Sequence, residues 1–282
     1  MRYHVISLVA VLLALGIGIL LGTTLVERGL ISEQKSQIQS LRKTFDEIKK
    51  KNKSLNDELK VYQDFASQAR PYLVGNGLAG KSFAVLTKTG ASNAEVDKIK
   101  ESITAAGGSV PVVINLEGQG VYSDRSVLDK LSKLFQLPAD PQVLKPRVLA
   151  EVVNQVVTAS NPAMLTELDK AGVLHVSGGV PGPLTGGVLL SDDQKADQAA
   201  LDQLDVPLIK ALVGAGFPLI GVGGENTDDR VLSVYKSSGI STADHVNAVP
   251  GQIAMVMSLE GRGGSYGSGG SADRLIPQPA GM

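Results

Sequence analysis

The first pattern along the chain is an unbroken apolar run. From Val5 to Val26 it reads VISLVAVLLALGIGILLGTTLV, 22 residues without a charge. At about 1.5 Å per residue this is roughly 33 Å of helix, enough for a hydrocarbon core of about 30 Å. A helix buried in a soluble core seldom needs so long an uncharged stretch. A cleaved signal sequence is the nearer alternative, since Gly22 and Thr24 are small. Its apolar region is usually only ~7–15 residues, however, and no A-x-A follows here. Residues 1–27 are therefore expected to form an uncleaved transmembrane signal anchor. Ala14, Gly18 and Gly22 recur every four residues. Such a stripe lets two membrane helices pack closely, although glycine is also tolerated in such helices without a partner. Arg2 before the span is nearly balanced by Arg28 and Lys35 after it. The secretory-signal character favours the N-terminus inside and the remainder extracytoplasmic, at the cell membrane as a single-pass protein.

The pattern then changes from continuous to periodic. With heptad position a at 31, 38, 45, 52, 59 and 66, the a/d set is Ile31, Gln34, Ile38, Leu41, Phe45, Ile48, Asn52, Leu55, Leu59, Tyr62, Ala66 and Ala69. All but Gln34 and Asn52 are apolar, which fits a coiled coil over residues 28–70. An amphipathic helix lying on its own domain would need a face of about 58 Å, long for a domain of this size. The pairs that a parallel dimer would juxtapose, Gln37 with Arg42, Thr44 with Lys49 and Lys51 with Asn56, neither repel nor attract strongly. Charge thus permits a parallel homodimer, and an acidic partner helix would gain electrostatically. Asn52, the one polar a position, can pair with its own copy and fix register, or simply sit in a wet seam.

After Pro71 short apolar runs alternate with helical patterns. Strands are expected in GKSFAVLTKTG, VPVVINL, VLHVSGG and FPLIGVGG. Ser92 to Glu95 reads as a capping box opening a helix to about Ala106. Further helices are expected at Ser123–Gln136, at Pro146–Ala159, after an Asn161–Pro162 start, in DVPLIKALVGAG, at Asp228–Ser238 and at Pro250–Glu260. Continuous β-branched strands between helices predict a doubly wound, mainly parallel α/β domain over residues 71–261. GRGGSYGSGGSADRLIPQPAGM, within residues 262–282, reads as a Gly/Ser-rich flexible tail.

Charge sharpens this division. The net −1 hides a segment at 28–70 with ten basic and six acidic residues, against 16 basic and 21 acidic in residues 71–282. The Lys49–Lys53 cluster lies several Debye lengths from the membrane end and reads as a solvated helix face, without a nucleic-acid role. Six Tyr, five Phe and no Trp leave little for the aromatic girdles of a membrane barrel or the stacking platforms of a single-strand binder. Zero cysteines exclude disulfides, thiolate metal sites and cysteine nucleophiles.

Candidate chemistry is sparse. Gly221-Val-Gly223-Gly224 follows a strand and precedes a helix, where a dinucleotide phosphate loop belongs. Position 226 is Asn where a third glycine would stand, and Asp228 and Asp229 would repel phosphate at the helix end. Asn226 or Thr227 as N-cap accounts for the stretch without a ligand. Gly263 to Gly267 matches G-x-S-x-G, yet a helix precedes it and no histidine follows His245. His4, His175 and His245 are dispersed, and His175 reads as a satisfied core histidine. Met255 and Met257 lie on different sides of their helix, and with Met164 they read as core residues; no soft-metal set converges. No catalytic, cofactor or metal residues are expected, and a degenerate nucleotide-binding or hydrolase-like enzyme is the weakest alternative.

The order of parts resembles the mycobacterial copper transport protein B (MctB) family. The matching residues are His4 with Ser7-Leu8, Ala14-Leu-Gly16 with Gly18 and Leu21-Gly22, and GISTADHVNAVPGQIAMVMSLEG. Tyr266-Gly267, Ala272-Asp273 and Leu275-Ile-Pro277 complete the match. The resemblance implies a copper-transport or channel-forming envelope protein, or a partner in envelope growth and division; copper rests on this resemblance alone. The residues themselves favour a different emphasis. One glycine-striped helix offers no polar pore lining, and the rest lacks alternating barrel strands. They support a non-enzymatic, membrane-anchored scaffold in the cell envelope that oligomerises through its coiled coil.

Overall fold

The computed structural model describes residues 2–88 and 90–278, with the side chains at 23–33 outside that description. One helix, α1 (Arg2–Val74), contains both the apolar run and the heptads. The chain divides into two compact units, Met1–Asp64 and Phe65–Met282, so the last turns of α1 belong to the second. The helix passes Pro71, where the sequence suggested its end. A proline removes one N–H bond and crowds one carbonyl, which the final turn tolerates better than a helix centre. Gly75, at φ +51°, then closes the helix by donating its N–H to the Pro71 carbonyl at 3.0 Å.

The second unit is built on a seven-stranded sheet ordered β3-β2-β1-β4-β5-β6-β7. Its strands are β1 (Ser82–Lys88), β2 (Ser109–Leu116), β3 (Leu174–Gly178), β4 (Gly186–Ser191), β5 (Leu219–Gly223), β6 (Ser241–Ala243) and β7 (Ser265–Tyr266). Only the β2–β3 pairing is antiparallel among the strand pairs described. The expected mainly parallel α/β architecture is therefore present. Side chains alternate across the sheet because successive residues of a strand point to opposite faces. Ala84 and Leu86 of β1 enter one core, whereas Phe83 and Val85 enter the other.

The first core is covered by α3 (Arg125–Phe135), α4 (Pro141–Thr158), α5 (Ala163–Ala171), α7 (Val206–Gly214) and α8 (Asp229–Ser237). A short α6 (Gln198–Ala200) and a π turn (Leu201–Asp205) lead into α7. The second core is covered by α2 (Asn93–Ala105) and α9 (Val249–Leu259), which bury Ile99, Ile103, Ile253 and Met255. Met257 is buried with them, as expected of core methionines. Helices on both faces make the sheet doubly wound.

Several local expectations change. Helix α4 starts at Pro141 rather than Pro146, because Asp140 caps it by accepting the Gln142 N–H at 2.8 Å. The Ser92 side chain makes no cap bond, so the capping box does not form. Nor does the Asn161 side chain cap α5, which begins at Ala163. Asp228, rather than Asn226 or Thr227, caps α8 by accepting the Arg230 N–H at 3.0 Å. His175 sits exposed on edge strand β3, with Nδ1 3.5 Å from Asp169, and not in the core.

Residues 262–278 depart furthest from the flexible tail expected of them. Ser265 and Tyr266 pair with Thr242 and Ala243 as β7. The buried Asp244 carboxylate accepts the Ser268 and Gly269 N–H groups at 2.8 and 2.6 Å. A side chain at Gly267, where φ is +136°, would overlap that carboxylate. The glycines admit an anchoring aspartate.

Candidate functional sites on the long helix and at the sheet switch point

Two features stand out, one in each unit. On α1, Gln34, Ile38, Leu41, Phe45, Ile48, Asn52, Leu55, Leu59 and Tyr62 are all exposed. Leu41 and Phe45 are 69% and 67% exposed, and Ile48 and Leu55 are 53% and 51%. Heptad spacing of about 3.5 residues is close to the 3.6 of the helix, so these side chains track along one face. The outward face carries Lys50 and Lys53, while Lys49 flanks the apolar one. The side chain of Ile31, the first expected member, is among those not described. Ala66 and Ala69, the last heptad positions, are half-buried in the second unit.

Nearer the N-terminus, Arg2–Gly22 is long and apolar enough to cross a membrane, which supports a single-pass topology. Ala14, Gly18 and Gly22 lie exposed along it, and a Cβ built at Gly18 or Gly22 meets nothing within 4 Å. The close helix approach that such a stripe allows is therefore open on this surface.

The second feature sits where the order of the sheet reverses. The chain leaves β1 toward β2 and returns on the other side as β4, and in open α/β sheets ligands bind outside the carboxyl ends of such strands. Lys88 ends β1. Its Nζ bonds the Asp193 carboxylate and lies 3.2 Å from Asp205 Oδ2. The wholly buried Tyr235 donates its hydroxyl to the same Asp205 oxygen at 2.7 Å. Burial alone would lower the Lys88 pKa, but Asp205 and Asp193 outweigh it and hold the ammonium above its ordinary value. A fixed, doubly paired ammonium is a poor nucleophile and a poor general base. It ties β1 to the loop after β4 and to the segment before α7.

Beside it, Glu95 of α2 reaches across to the end of β5. Its Oε1 accepts the Glu225 N–H at 2.9 Å, while Oε2 is buried with no hydrogen-bond partner among the described residues. Burial raises its pKa; the Glu225 N–H bond opposes this, and the nearby Asp192 and Glu225 charges add to the rise. A side chain at Gly224 would overlap this carboxyl group. The glycines of Gly221 to Gly224 therefore serve internal packing: Gly224 admits Glu95, and a Cβ at Gly221 would strike the Tyr235 ring. Phosphate would meet a carboxylate at the same place. The remaining cavity, about 110 Å³, is bordered by Lys88, Gly90, Asp192 and Asp193.

Lys88, Asp205 and Tyr235 carry no sequence signal. The lysine lies 117 positions from Asp205, and no motif joins them. Ser265 of the G-x-S-x-G string is buried on β7 rather than raised on an elbow. His245 Nδ1 lies 3.4 Å from Asp244. No group of three or more His, Cys, Asp or Glu residues suited to a metal occurs among the described residues.

Relatives cover nearly the whole chain. "Copper transporter MctB" of Mycobacterium tuberculosis is 24% identical over 96% of this chain and 97% of its own length. The Mycobacterium bovis protein of that name matches to the same extent. The Mycobacterium leprae one is 25% identical over 99% of each chain. Among solved structures, aspartate transcarbamoylase from Trypanosoma cruzi with N-(phosphonacetyl)-L-aspartic acid is 12% identical over 70% of this chain and 89% of that chain. Its TM-score of 0.17 is too low to bear on fold or ligand. The model of a family described as "Copper transport outer membrane protein, MctB" matches residues 1–277, and the chain belongs to that family.

Proposed function

We propose that this is a non-enzymatic, membrane-anchored envelope protein whose long helix self-associates as a parallel coiled coil, holding α/β domains together on the extracytoplasmic side as a scaffold for envelope growth or division. The observation that carries this reading is the exposed heptad face of α1, from Ile38 to Tyr62. Water disfavours so continuous an apolar stripe, and a second copy offers the matching one. Two anchors entering the same membrane from the same side favour a parallel arrangement. The small-residue stripe at Ala14, Gly18 and Gly22 lets the anchors approach as the coils do. Deleting residues 30–64, which leaves the second unit intact, tests the proposal by sedimentation in detergent. The scaffold reading requires loss of the oligomer while the α/β domain stays folded; an oligomer that survives the deletion refutes it. An acidic partner helix would appear instead as a hetero-complex lost by the same deletion.

The relatives' description as copper transporters favours a second reading, a part in copper transport or homeostasis. Its support is family membership. Copper-dependent flux in vesicles reconstituted with the full-length chain, or tight Cu(I) binding by it, would establish this reading. Absence of both would dismiss it.

A further inference from the structure

A separate cleft of about 560 Å³ opens on the α3–α4–α7 side of the α/β unit, within the size range of small-molecule pockets. It lies between the 3-10 turn Gln119–Ser123, the start of α4 and the π turn before α7. Lys145 stands in it half-buried, and burial lowers its pKa. No carboxylate pairs with it among the described residues. Its Nζ instead donates to Gln119 Oε1 at 2.6 Å and reaches Gln203 Oε1 at 3.5 Å. That contact fixes the Gln119 amide, since the reverse orientation would set two donors against each other. The Gln119 Nε2 group is left buried and without a partner among the described residues.

An uncompensated ammonium beside an orphaned amide donor is costly unless something accepts from both. Tyr122, Leu149 and Pro207 supply the apolar part of its walls. Gln203 is placed there by the π turn, a helix irregularity that often marks functional sites. The ligand's charge follows from the donors. One lysine, without an arginine fork, suits one carboxylate better than a phosphate dianion. The neighbouring end of α4 adds no vacant donor, because Asp140 already takes the Gln142 N–H and Pro141 has none. The amides of Gln119, Gln142 and Gln203 can serve hydroxyl groups.

We propose that this cleft binds a small monocarboxylate bearing hydroxyl groups, with the carboxylate on Lys145 and an oxygen accepting from Gln119 Nε2. The test uses the full-length protein in detergent, with galacturonate and galactose as probes, followed by calorimetry and ligand-observed NMR. Galacturonate should bind at least tenfold more tightly than galactose, and Lys145→Gln should remove that preference. Equal binding of the two sugars, or no galacturonate binding at millimolar concentration, would overturn the proposal on the unmodified protein. An unchanged preference in Lys145→Gln, folded by circular dichroism, would overturn it as well.

Discussion

Replacing Ile48 and Leu55 together by alanine probes the self-association of α1 without touching the α/β cores. Fully burying such a side chain contributes ~1.5–3 kcal/mol. Both side chains are about half exposed in the single chain, so roughly half of that, ~0.8–1.5 kcal/mol each, remains to be gained from a partner. A dimer loses four such side chains in the double variant, about 3–6 kcal/mol in all, which corresponds to a roughly 10²- to 10⁴-fold weaker dimer. The two positions are one heptad apart, ~10 Å along the helix, so their effects should nearly add. Sedimentation equilibrium of the full-length chain in density-matched detergent reads the dissociation constant. Asp57→Ala, on the outward heptad position, is the control and should change it by less than about threefold. A double variant as tightly associated as the control would refute the argument that the exposed stripe is an interface.

The switch-point residues give two further expectations. Lys88→Met leaves the buried Asp205, and the partly exposed Asp193 beside it, without their cation; loss of the buried partner should cost about 3–5 kcal/mol of domain stability. Hydrogen exchange in β1 and β4 would read that loss, and unchanged protection would contradict the pairing. Glu95→Gln tests the raised carboxyl. A folded pKa above the unfolded one adds stability at low pH that is lost as pH rises through the folded value. The glutamine variant should therefore match the parent below the unfolded pKa and become the more stable of the two as pH climbs above it. A constant difference across pH would refute this assignment.

Much of the architecture was legible because its signals are local. β1, β2 and β5 are short, largely apolar runs with Val, Ile or Leu in each, and the heptads of α1 are periodic over many turns. β4 escaped notice although it sits at the centre of the sheet. Its first two residues, Gly186 and Gly187, look like punctuation. In place, a Cβ at Gly186 would press on the Pro218 carbonyl, and one at Gly187 on the Phe217 ring. The same misreading made a flexible tail of glycines that fit around Asp244. Glu95 looked like half of a capping box because its spacing from Ser92 is right. The carboxyl instead crosses to Glu225, 130 positions away, a choice that depends on tertiary packing. The lysine cleft was invisible for the same reason, since its residues come from three separate segments.

The central claim is that two copies of α1 pair in parallel and in register. The chain has no cysteine, so a single introduced thiol reports on itself alone. Paired a positions of a parallel coil face each other, whereas f positions point to solvent. Oxidation of the full-length Asn52→Cys variant in membranes should therefore give a disulfide-linked dimer, and Asp57→Cys should give none. Equal crosslinking of both, or none at position 52, would contradict the parallel coil.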